Sequence, residues 1–281
     1  MISDSQTNKV YFSELLKIDS RFTATCGLIT KMLDSYNVSY EFLEKTKDIW
    51  ARDYMPIQVS EDKFIEYRYD PDYLQGTGKE RREVKTYPDI VCDWLNLKTI
   101  KTDIILDGGN VIKSKNCVIL TDKIVTENQH LCKKTELIKH LEELFEVEHV
   151  ILIPWPKAEE YGHSDGMLRF IDEETVLINE IERTPSLERR LKEHGLKWEY
   201  LSYNVKKKNK YSWAYINFLQ TNDLILLPKF NTDEDKQAFE EFKKYYPDYA
   251  INNRIAQLDM TEIVKYGGAL NCISWTIKLS Y

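Results

Sequence analysis

The sequence predicts an α/β fold organised as a single domain over residues 1–281. Apolar stretches with strand-like spacing alternate along the chain with stretches whose apolar residues recur at helical spacing. A length of 281 residues is enough for one large domain with its own core. No linker rich in glycine, serine or like charges divides the chain, so a single domain is the simpler prediction.

The individual elements follow from the spacing of apolar residues. The chain opens with a predicted strand at residues 10–12 and a predicted helix over residues 21–36. Further helices are predicted over residues 131–145, 187–194 and 233–246. Further strands are predicted at residues 104–106, 117–120, 123–125, 150–153, 167–171, 176–178, 224–227 and 273–279.

The segment from Tyr67 to Tyr87 has no clear period and is rich in glycine, proline, tyrosine and charge. A segment of this kind is typical of a long loop, either a lid over a pocket or a variable excursion on the surface. Both interpretations stay open from the sequence.

Composition excludes several classes of protein. With 42% hydrophobic and 30% charged residues, the chain is neither disordered nor collagenous, and it has no apolar run long enough for a membrane span. A net charge of −7 argues against a nucleic-acid binder, and the basic residues 206–210 are interpreted as a solvated loop. No secretory signal is recognised, so a cytoplasmic location is expected.

Cysteine and histidine spacing gives no sign of a metal site. The five cysteines form no CxxC pair, and the five histidines form no HExxH pattern. We therefore expect no metal, and at least one cysteine is a free thiol because five is an odd number.

Three polar segments at strand ends hold the residue types that thiol catalysis requires. They contain Arg52 and Asp53, then His163 and Asp165, and finally Cys272. If the segment from 163 to 165 is extended, its two side chains point the same way and can share a pocket. A lone turn histidine that bonds backbone groups, and a cysteine that is merely a small buried apolar residue, are the competing interpretations.

The ordered motifs resemble those of a known family. Residues 48–56, DIWARDYMP, resemble the D-x-W-x-R-D-x-x-P segment of agmatine deiminases and of the bacterial peptidylarginine deiminase group. Residues 107–110, DGGN, are similar to the family's [E/D]-G-G-[N/S] turn, and residues 162–166, GHSDG, to its G-H-x-D segment. Residues 215–218, YINF, resemble Y-x-N-F, and residues 267–274, GGALNCIS, resemble G-G-x-x-H-C-x-[T/S].

The resemblance implies a single-domain propeller of five ββαβ-like modules around a central site, the fold of the guanidine-modifying superfamily. It implies that Cys272 is the nucleophile, that His163 is the general acid and base, and that Asp53 and Asp165 grip a guanidinium. The remaining implied pocket residues are Trp50, Arg52, Asp107, as a structural or supporting acid, and Asn217. No cofactor is implied, and action on agmatine would place the enzyme in putrescine biosynthesis.

The chemistry of a guanidinium agrees with these roles. The group is planar, permanently charged and edged with N–H donors, so two carboxylates can bind it and hold its carbon against a thiolate. The product would be a ureido group with release of ammonia, formed through a covalent amidino-thioether. The expected partner is a small guanidino substrate such as agmatine, or an arginine peptide.

Two alternatives remain open from the sequence: an amidinotransferase that uses the same intermediate, and a silent relative that binds arginine-like ligands. Two departures from the family pattern bear on the substrate. Asn271 stands where agmatine and many peptidylarginine deiminases have histidine, and the G-E-G-T run that follows the DGGN turn in agmatine deiminases is missing here.

Overall fold

The computed structural model describes residues 1–75, 83–156, 161–204 and 210–280. Within these ranges, fifteen strands form five sheets of three strands each. In every sheet the middle strand pairs antiparallel with one neighbour and parallel with the other. The expected α/β fold of five ββαβ-like modules is confirmed.

The strands, numbered β1 to β15 in chain order, have short and regular bounds. They are Lys9–Ser13, Ser39–Leu43, Ile57–Gln58, Phe64–Arg68, Ile100–Ile105, Ile112–Lys113, Cys117–Thr121, His149–Ile153, Leu168–Phe170, Thr175–Asn179, Lys197–Leu201, Leu219–Gln220, Ile225–Lys229, Ile255–Asp259 and Ser274–Ile277. The α-helices with bounds in the described ranges are Leu15–Ile18, Thr23–Ser35, Ala51–Tyr54, Pro88–Trp94, Lys123–Asn128, Lys134–Phe145, Pro185–Glu193, Glu234–Tyr245 and Pro247–Ile251.

One helical crossover joins the two parallel strands of each sheet. The sheets are β15-β1-β2, β3-β4-β5, β6-β7-β8, β9-β10-β11 and β12-β13-β14. The first sheet joins the two ends of the chain, because β15 pairs antiparallel with β1 and places Tyr11 opposite Trp275. This pairing closes the circle of modules.

The central strands are buried on both faces, which is why the sequence shows them as continuous apolar runs. Val118, Ile119 and Leu120 of β7, and Ile225 to Leu227 of β13, have no measurable exposure. Crossover helices cover one face of such a strand, and neighbouring modules cover the other. The helix Lys134–Phe145, for example, buries Leu137, Leu141 and Phe145 and leaves its charged face outside.

The predicted strand at residues 123–125 is wrong, because the chain forms the helix Lys123–Asn128 there. Ile124 and Val125 gave a short apolar run that fits either structure. The helix is favoured because Lys123 and Glu127 lie four residues apart and form an ion pair of 3.4 Å. The predicted helix over residues 131–145 begins only at Lys134.

No helix in the described parts of the chain combines the length and the apolarity that a bilayer crossing requires.

Candidate active site

Five chain segments in equivalent positions meet at the centre of the fold. Each follows the last parallel strand of one module and leads into the first strand of the next, and each contains a short helical turn. The turns are Ala51–Tyr54, Gly108–Asn110, Ser164–Gly166, Ser212–Ile216 and Ile263–Tyr266. Every predicted site residue lies in one of these five segments, so all five modules contribute to one site.

The backbone around the cysteine is held by the amide of Asn217. Its Oδ1 accepts hydrogen bonds from the backbone N–H groups of Ala269 and Cys272, both at 3.2 Å. Its backbone carbonyl accepts a third from the N–H of Asn271, at 3.1 Å. Asn217 has no exposed surface. Asn217 therefore fixes the backbone that carries the thiol.

Asp165 gathers three donors on a single oxygen. Its Oδ2 accepts from Nδ2 of Asn217 at 2.9 Å, from Nδ2 of Asn271 at 2.7 Å and from Sγ of Cys272 at 3.5 Å. Asn271, the residue before the cysteine, is thus a direct hydrogen-bond partner of this carboxylate. Because all three bonds go to Oδ2, the second oxygen lies outside this network.

His163 lies between two carboxylates. Its Nε2 is 2.9 Å from Oδ2 of Asp107, and its Nδ1 is 3.7 Å from Oδ1 of Asp53. With Nε2–H donated to Asp107, the Nδ1 atom is the one that can exchange a proton on the side of Asp53. The expectation of an extended segment at 163–165 is wrong, because Ser164–Gly166 forms a 3-10 turn. His163 and Asp165 nevertheless both line the cavity described below.

Close packing explains one of the glycines in the DGGN turn. A Cβ atom on Gly109 would lie 2.5 Å from Oδ1 of Asp53 and 2.7 Å from Nδ1 of His163. Such distances are impossible for a side chain, and the N–H of Gly109 instead donates to Oδ1 of Asp53 at 3.2 Å. Glycine is required here so that the histidine and the aspartate can approach each other.

Burial and neighbouring charges shift the pKa values of three groups of the centre, Asp53, His163 and Cys272. Burial raises the pKa of Asp53 to about 8, although the nearby His163 opposes the shift. Burial alone would lower the pKa of His163, but Asp53 and Asp107 outweigh it and raise that pKa to about 10. Burial, and then the charges of Asp165 and Asp53, raise the pKa of the Cys272 thiol well above its ordinary value.

The thiol and the imidazole stand where two lobes of a cavity meet. Tyr161, His163, Gly267 and Cys272 line both lobes. The first lobe, of about 370 Å³, is also lined by Asp48, Trp50, Asp53, Tyr69, Tyr73, Leu74, Val84 and Tyr266. The second lobe, of about 410 Å³, is also lined by Pro156, Asp165, Gly166, Met167, Ile181, Glu182 and Trp213. Each lobe has room for a small organic molecule next to the sulfur.

Residues 21–277 match the sequence model that describes the Porphyromonas-type peptidyl-arginine deiminase family. The chain belongs to this family. Members of the family are hydrolases that act on carbon–nitrogen bonds of linear amidines. A curated relative from Lactococcus lactis, named "Putative agmatine deiminase", is 22% identical over 95% of this chain and 86% of its own length.

Solved structures with the same fold accompany this family match. The agmatine deiminase of Enterococcus faecalis superposes with a TM-score of 0.74 at 18% identity, covering all of this chain and 96% of its own. DDAH from Pseudomonas aeruginosa, solved with citrulline, superposes with a TM-score of 0.60 at 12% identity, covering 96% of this chain and 99% of its own. These similarities show that the deiminase-family chain has the pentein fold.

Two of the predicted pocket residues of this deiminase-family chain differ in where their side chains lie. Trp50 lines the first lobe and packs so closely on Gly268 that a Cβ there would lie 2.3 Å from the indole. Arg52 does not line either lobe. Its Nε is 3.4 Å from the carbonyl oxygen of Asn271, and its backbone N–H donates to the carbonyl of Cys272 at 3.1 Å. Arg52 thus braces the cysteine segment.

The sequence did not single out the aromatic wall beside the histidine. Tyr73 and Tyr161 pack edge to face with ring centres 5.0 Å apart, and both contact the ring of His163. Tyr73 belongs to the segment that was expected to be a loop or a lid, and the described part of that segment lines the first lobe. Residues 76–82 of it lie outside the described residues.

A buried lysine fastens this wall. The Lys123 side chain is 2% exposed and pairs with Asp72 at 2.9 Å. Its Nζ also donates to the carbonyl oxygen of Tyr161 at 2.7 Å and lies 4.8 Å above the ring of Tyr73. Nothing in the local sequence separates this lysine from a surface one. Its spacing of four residues from Glu127 does not distinguish it either, since the exposed pair Lys139 and Glu143 has the same spacing.

Lys123→Met is expected to lower kcat/KM about tenfold or more, because the tyrosines beside His163 lose their shared anchor. The loss is expected mainly as a higher KM, and Lys123→Arg should restore most of it. Steady-state kinetics together with the melting temperature of each variant make the test. The control is Lys139→Met, which removes an exposed lysine from a similar pair with Glu143. An equal loss in the control would contradict the anchoring role.

Proposed function

We propose that this protein hydrolyses the guanidino group of a small guanidine to a ureido group and ammonia, with Cys272 as the nucleophile. The observation that carries the proposal is the meeting of a thiol, an imidazole and two carboxylates at the junction of two lobes. Family membership supports the class of reaction. The assignment of each step to a residue is our own.

The guanidinium would bind between Asp53 and Asp165. Asp53 lines the first lobe and Asp165 the second, and Cys272 lines both. A planar cation at the junction can therefore offer N–H donors to one carboxylate on each side, with its carbon facing Sγ. Charge-assisted hydrogen bonds of this kind contribute roughly 1.5–3 kcal/mol each.

The reaction would proceed in two balanced halves. The thiolate adds to the guanidinium carbon to form a C–S bond, and protonated His163 gives a proton to the departing nitrogen, which leaves as ammonia. In the second half, His163 accepts a proton from water as its oxygen adds to the same carbon. The C–S bond then breaks as the added hydroxyl gives its remaining proton to solvent, so the thiolate is regenerated and the ureido product is released.

The substrate itself would supply the charge that forms the thiolate. In the empty site, burial and two carboxylates raise the pKa of Cys272, so the thiol form is favoured. A guanidinium bound to Asp53 and Asp165 neutralises their negative charge and adds a positive charge beside the sulfur, which favours the thiolate. The bound cation lowers the pKa of Cys272, and the thiol proton passes to solvent. The nucleophile is then generated only when a cation is bound, which protects the thiol between turnovers.

Alkylation of Cys272 tests this charge requirement. We expect 2-chloroacetamidine, a cation, to alkylate Cys272 at least about tenfold faster at pH 7 than neutral chloroacetamide, because only the cation binds the carboxylates. Since only the thiolate reacts, the chloroacetamide rate should rise up to pH 9 without a plateau. Mass spectrometry of the peptides measures both rates.

The half-buried Cys132, which lines neither lobe, is the internal control and should show no comparable preference for the cation. A plateau for Cys272 below pH 8, or equal rates for the two reagents, would mean that the thiolate exists before the cation binds.

The preferred substrate class is a free guanidine such as agmatine rather than an arginine peptide. Tyr69, Tyr73 and Leu74, from the segment predicted as a loop or lid, wall the first lobe. Aromatic walls of this kind suit a short aliphatic chain next to the guanidinium. The names of the agmatine deiminase relatives support the same substrate.

The deciding experiment measures ureido product and ammonia from agmatine, free arginine, methylated arginines and an internal-arginine peptide. Equal amounts of both products from agmatine are expected, with a higher kcat/KM for agmatine than for the peptide. Transfer of the amidino group to an added amine in place of water would reveal an amidinotransferase. Absence of product from every guanidine would reject the enzymatic proposal and favour a silent binder.

A further inference from the structure

Asp48 is a carboxylate of the cavity that the reaction described above does not use. It opens the DIWARD segment and lines the first lobe together with Trp50 and Asp53. Asp53 and His163 belong to the reacting end of that lobe. Asp48 is the further charged side chain among the described residues of its wall.

No positively charged partner of Asp48 is found within the described parts of the chain. Its Oδ1 accepts the backbone N–H of Trp50 at 2.8 Å, and its Oδ2 is 3.5 Å from the hydroxyl of Thr86. Burial raises the pKa of this carboxyl to about 7, and these two hydrogen bonds only partly oppose the shift. Asp48 is half-buried, and a carboxylate that loses part of its hydration without gaining a cation is destabilised.

The surroundings of Asp48 are aromatic. The hydroxyl of Tyr54 lies 3.5 Å from the backbone carbonyl oxygen of Asp48, and the ring of Tyr54 packs edge to face on that of Tyr69, which lines the lobe. Burial, and next the charge of Asp48, raise the pKa of both tyrosines. The helical turn Ala51–Tyr54 contains Asp53 and begins three residues after Asp48, and both carboxylates line the same cavity. The first lobe thus has two carboxylates in its wall: Asp53, which lies 3.7 Å from His163, and Asp48, whose hydrogen bonds go to Trp50 and Thr86.

We propose that Asp48 binds a second positive charge on the substrate, so that the first lobe selects guanidines that carry an amine at the far end of their chain. This inference rests on the proposed function for its first charge, the guanidinium at Cys272. The methylene groups between the two charges would lie against the rings of Trp50 and Tyr69. A substrate with a carboxylate at that end would be repelled by Asp48.

The expected preference follows from the energy of a charge-assisted hydrogen bond. A contribution of roughly 1.5–3 kcal/mol corresponds to about a ten- to hundredfold difference in Kd. The matched ligands are agmatine and pentylguanidine, which has a methyl group where agmatine has its ammonium. Tyrosine rings can add to the attraction for the ammonium, but they also contact the methyl group.

Calorimetry with the Cys272→Ala enzyme measures both Kd values without turnover. We expect agmatine to bind at least tenfold more tightly than pentylguanidine, and Asp48→Asn in the same background to reduce this ratio to within about threefold. Asparagine keeps an oxygen that can accept the N–H of Trp50, so the local turn is preserved. Binding of pentylguanidine by the Asp48→Asn enzyme shows that the variant is folded.

The control is Glu182→Gln, which removes the carboxylate of the second lobe that takes no part in the proposed guanidinium clamp. This change should leave the ratio of Kd values as it is in the Cys272→Ala enzyme. A ratio that collapses with Glu182→Gln and survives Asp48→Asn would overturn the proposal and place the amine in the second lobe. Equal Kd values for both ligands before any change at Asp48 would also overturn it and leave the proposed function standing. Failure of both ligands to bind would reject the proposed function as well.

Discussion

Cys272→Ala is expected to lower kcat by about 10⁴-fold or more while the protein stays folded. Removal of the group that forms the covalent bond leaves only substrate binding and acid catalysis, and nucleophile deletions in other enzymes cost this much or more. The backbone of the segment should survive, because Asn217 holds it through N–H groups that alanine keeps. The measurement is ammonia release, with circular dichroism to report the fold.

Trapping of the intermediate makes the assignment specific. His163→Ala removes the acid of the first half and the base of the second. The departing nitrogen can take its proton from solvent while the attacking water has no base, so mass spectrometry after long incubation should find an amidino adduct on Cys272. Cys117 serves as the matched control, since it is also buried but lies in strand β7 away from the cavity. Activity within tenfold of the wild type in Cys272→Ala, or an adduct mapped to Cys117, would overturn the assignment.

The second large effect is expected at the two carboxylates of the clamp. Asp53→Asn and Asp165→Asn should each lower kcat/KM about 10²-fold or more, because each loses a charge-assisted bond and misplaces the reacting carbon. Asp107→Asn should cost less, because Asp107 acts on the substrate only through Nε2 of His163. Steady-state kinetics on agmatine measures all three.

Asp62→Asn, at an exposed turn, is the control for a change of one charge. Equal losses at Asp53, Asp107 and Asp165 would show that the division into clamp and support is incorrect. If only Asp107→Asn lowers kcat/KM, Asp53 and Asp165 do not bind the guanidinium, and the site depends instead on the pair of Asp107 and His163.

Much of the fold could be predicted from the sequence, because central strands buried on both faces appear as apolar runs. The strand β7, predicted at residues 117–120, is one such run and is confirmed as Cys117–Thr121. The apolar run at Ile124 and Val125 was ambiguous, since spacing over so few residues does not separate a helix from a strand. The five-module repeat left no visible trace in the sequence, because the modules share topology and burial but not residues.

Only the site residues that belong to sequence motifs could be predicted. The segments around Asp53, His163 and Cys272 converge in the structure, and their expected roles stay predictions. Lys123 could not be recognised, because its burial depends on Asp72 and on the carbonyl of Tyr161, which are distant along the chain. The partner of Asn271 was equally hidden, since a substitution in a motif does not say which atom it contacts.

The seam between β1 and β15 has a consequence for how the protein acquires activity during folding. Cys272 lies just before β15, and this strand pairs with one that is separated from it by nearly the whole sequence. Contacts between such distant segments carry a large loop-closure entropy and tend to form slowly. Modules that fold earlier can already hold Asp53, His163 and Asp165 in position, but the thiol of Cys272 joins them only when β15 pairs with β1. Recovery of activity after dilution from denaturant therefore follows closure of this seam and lags behind the recovery of helical content.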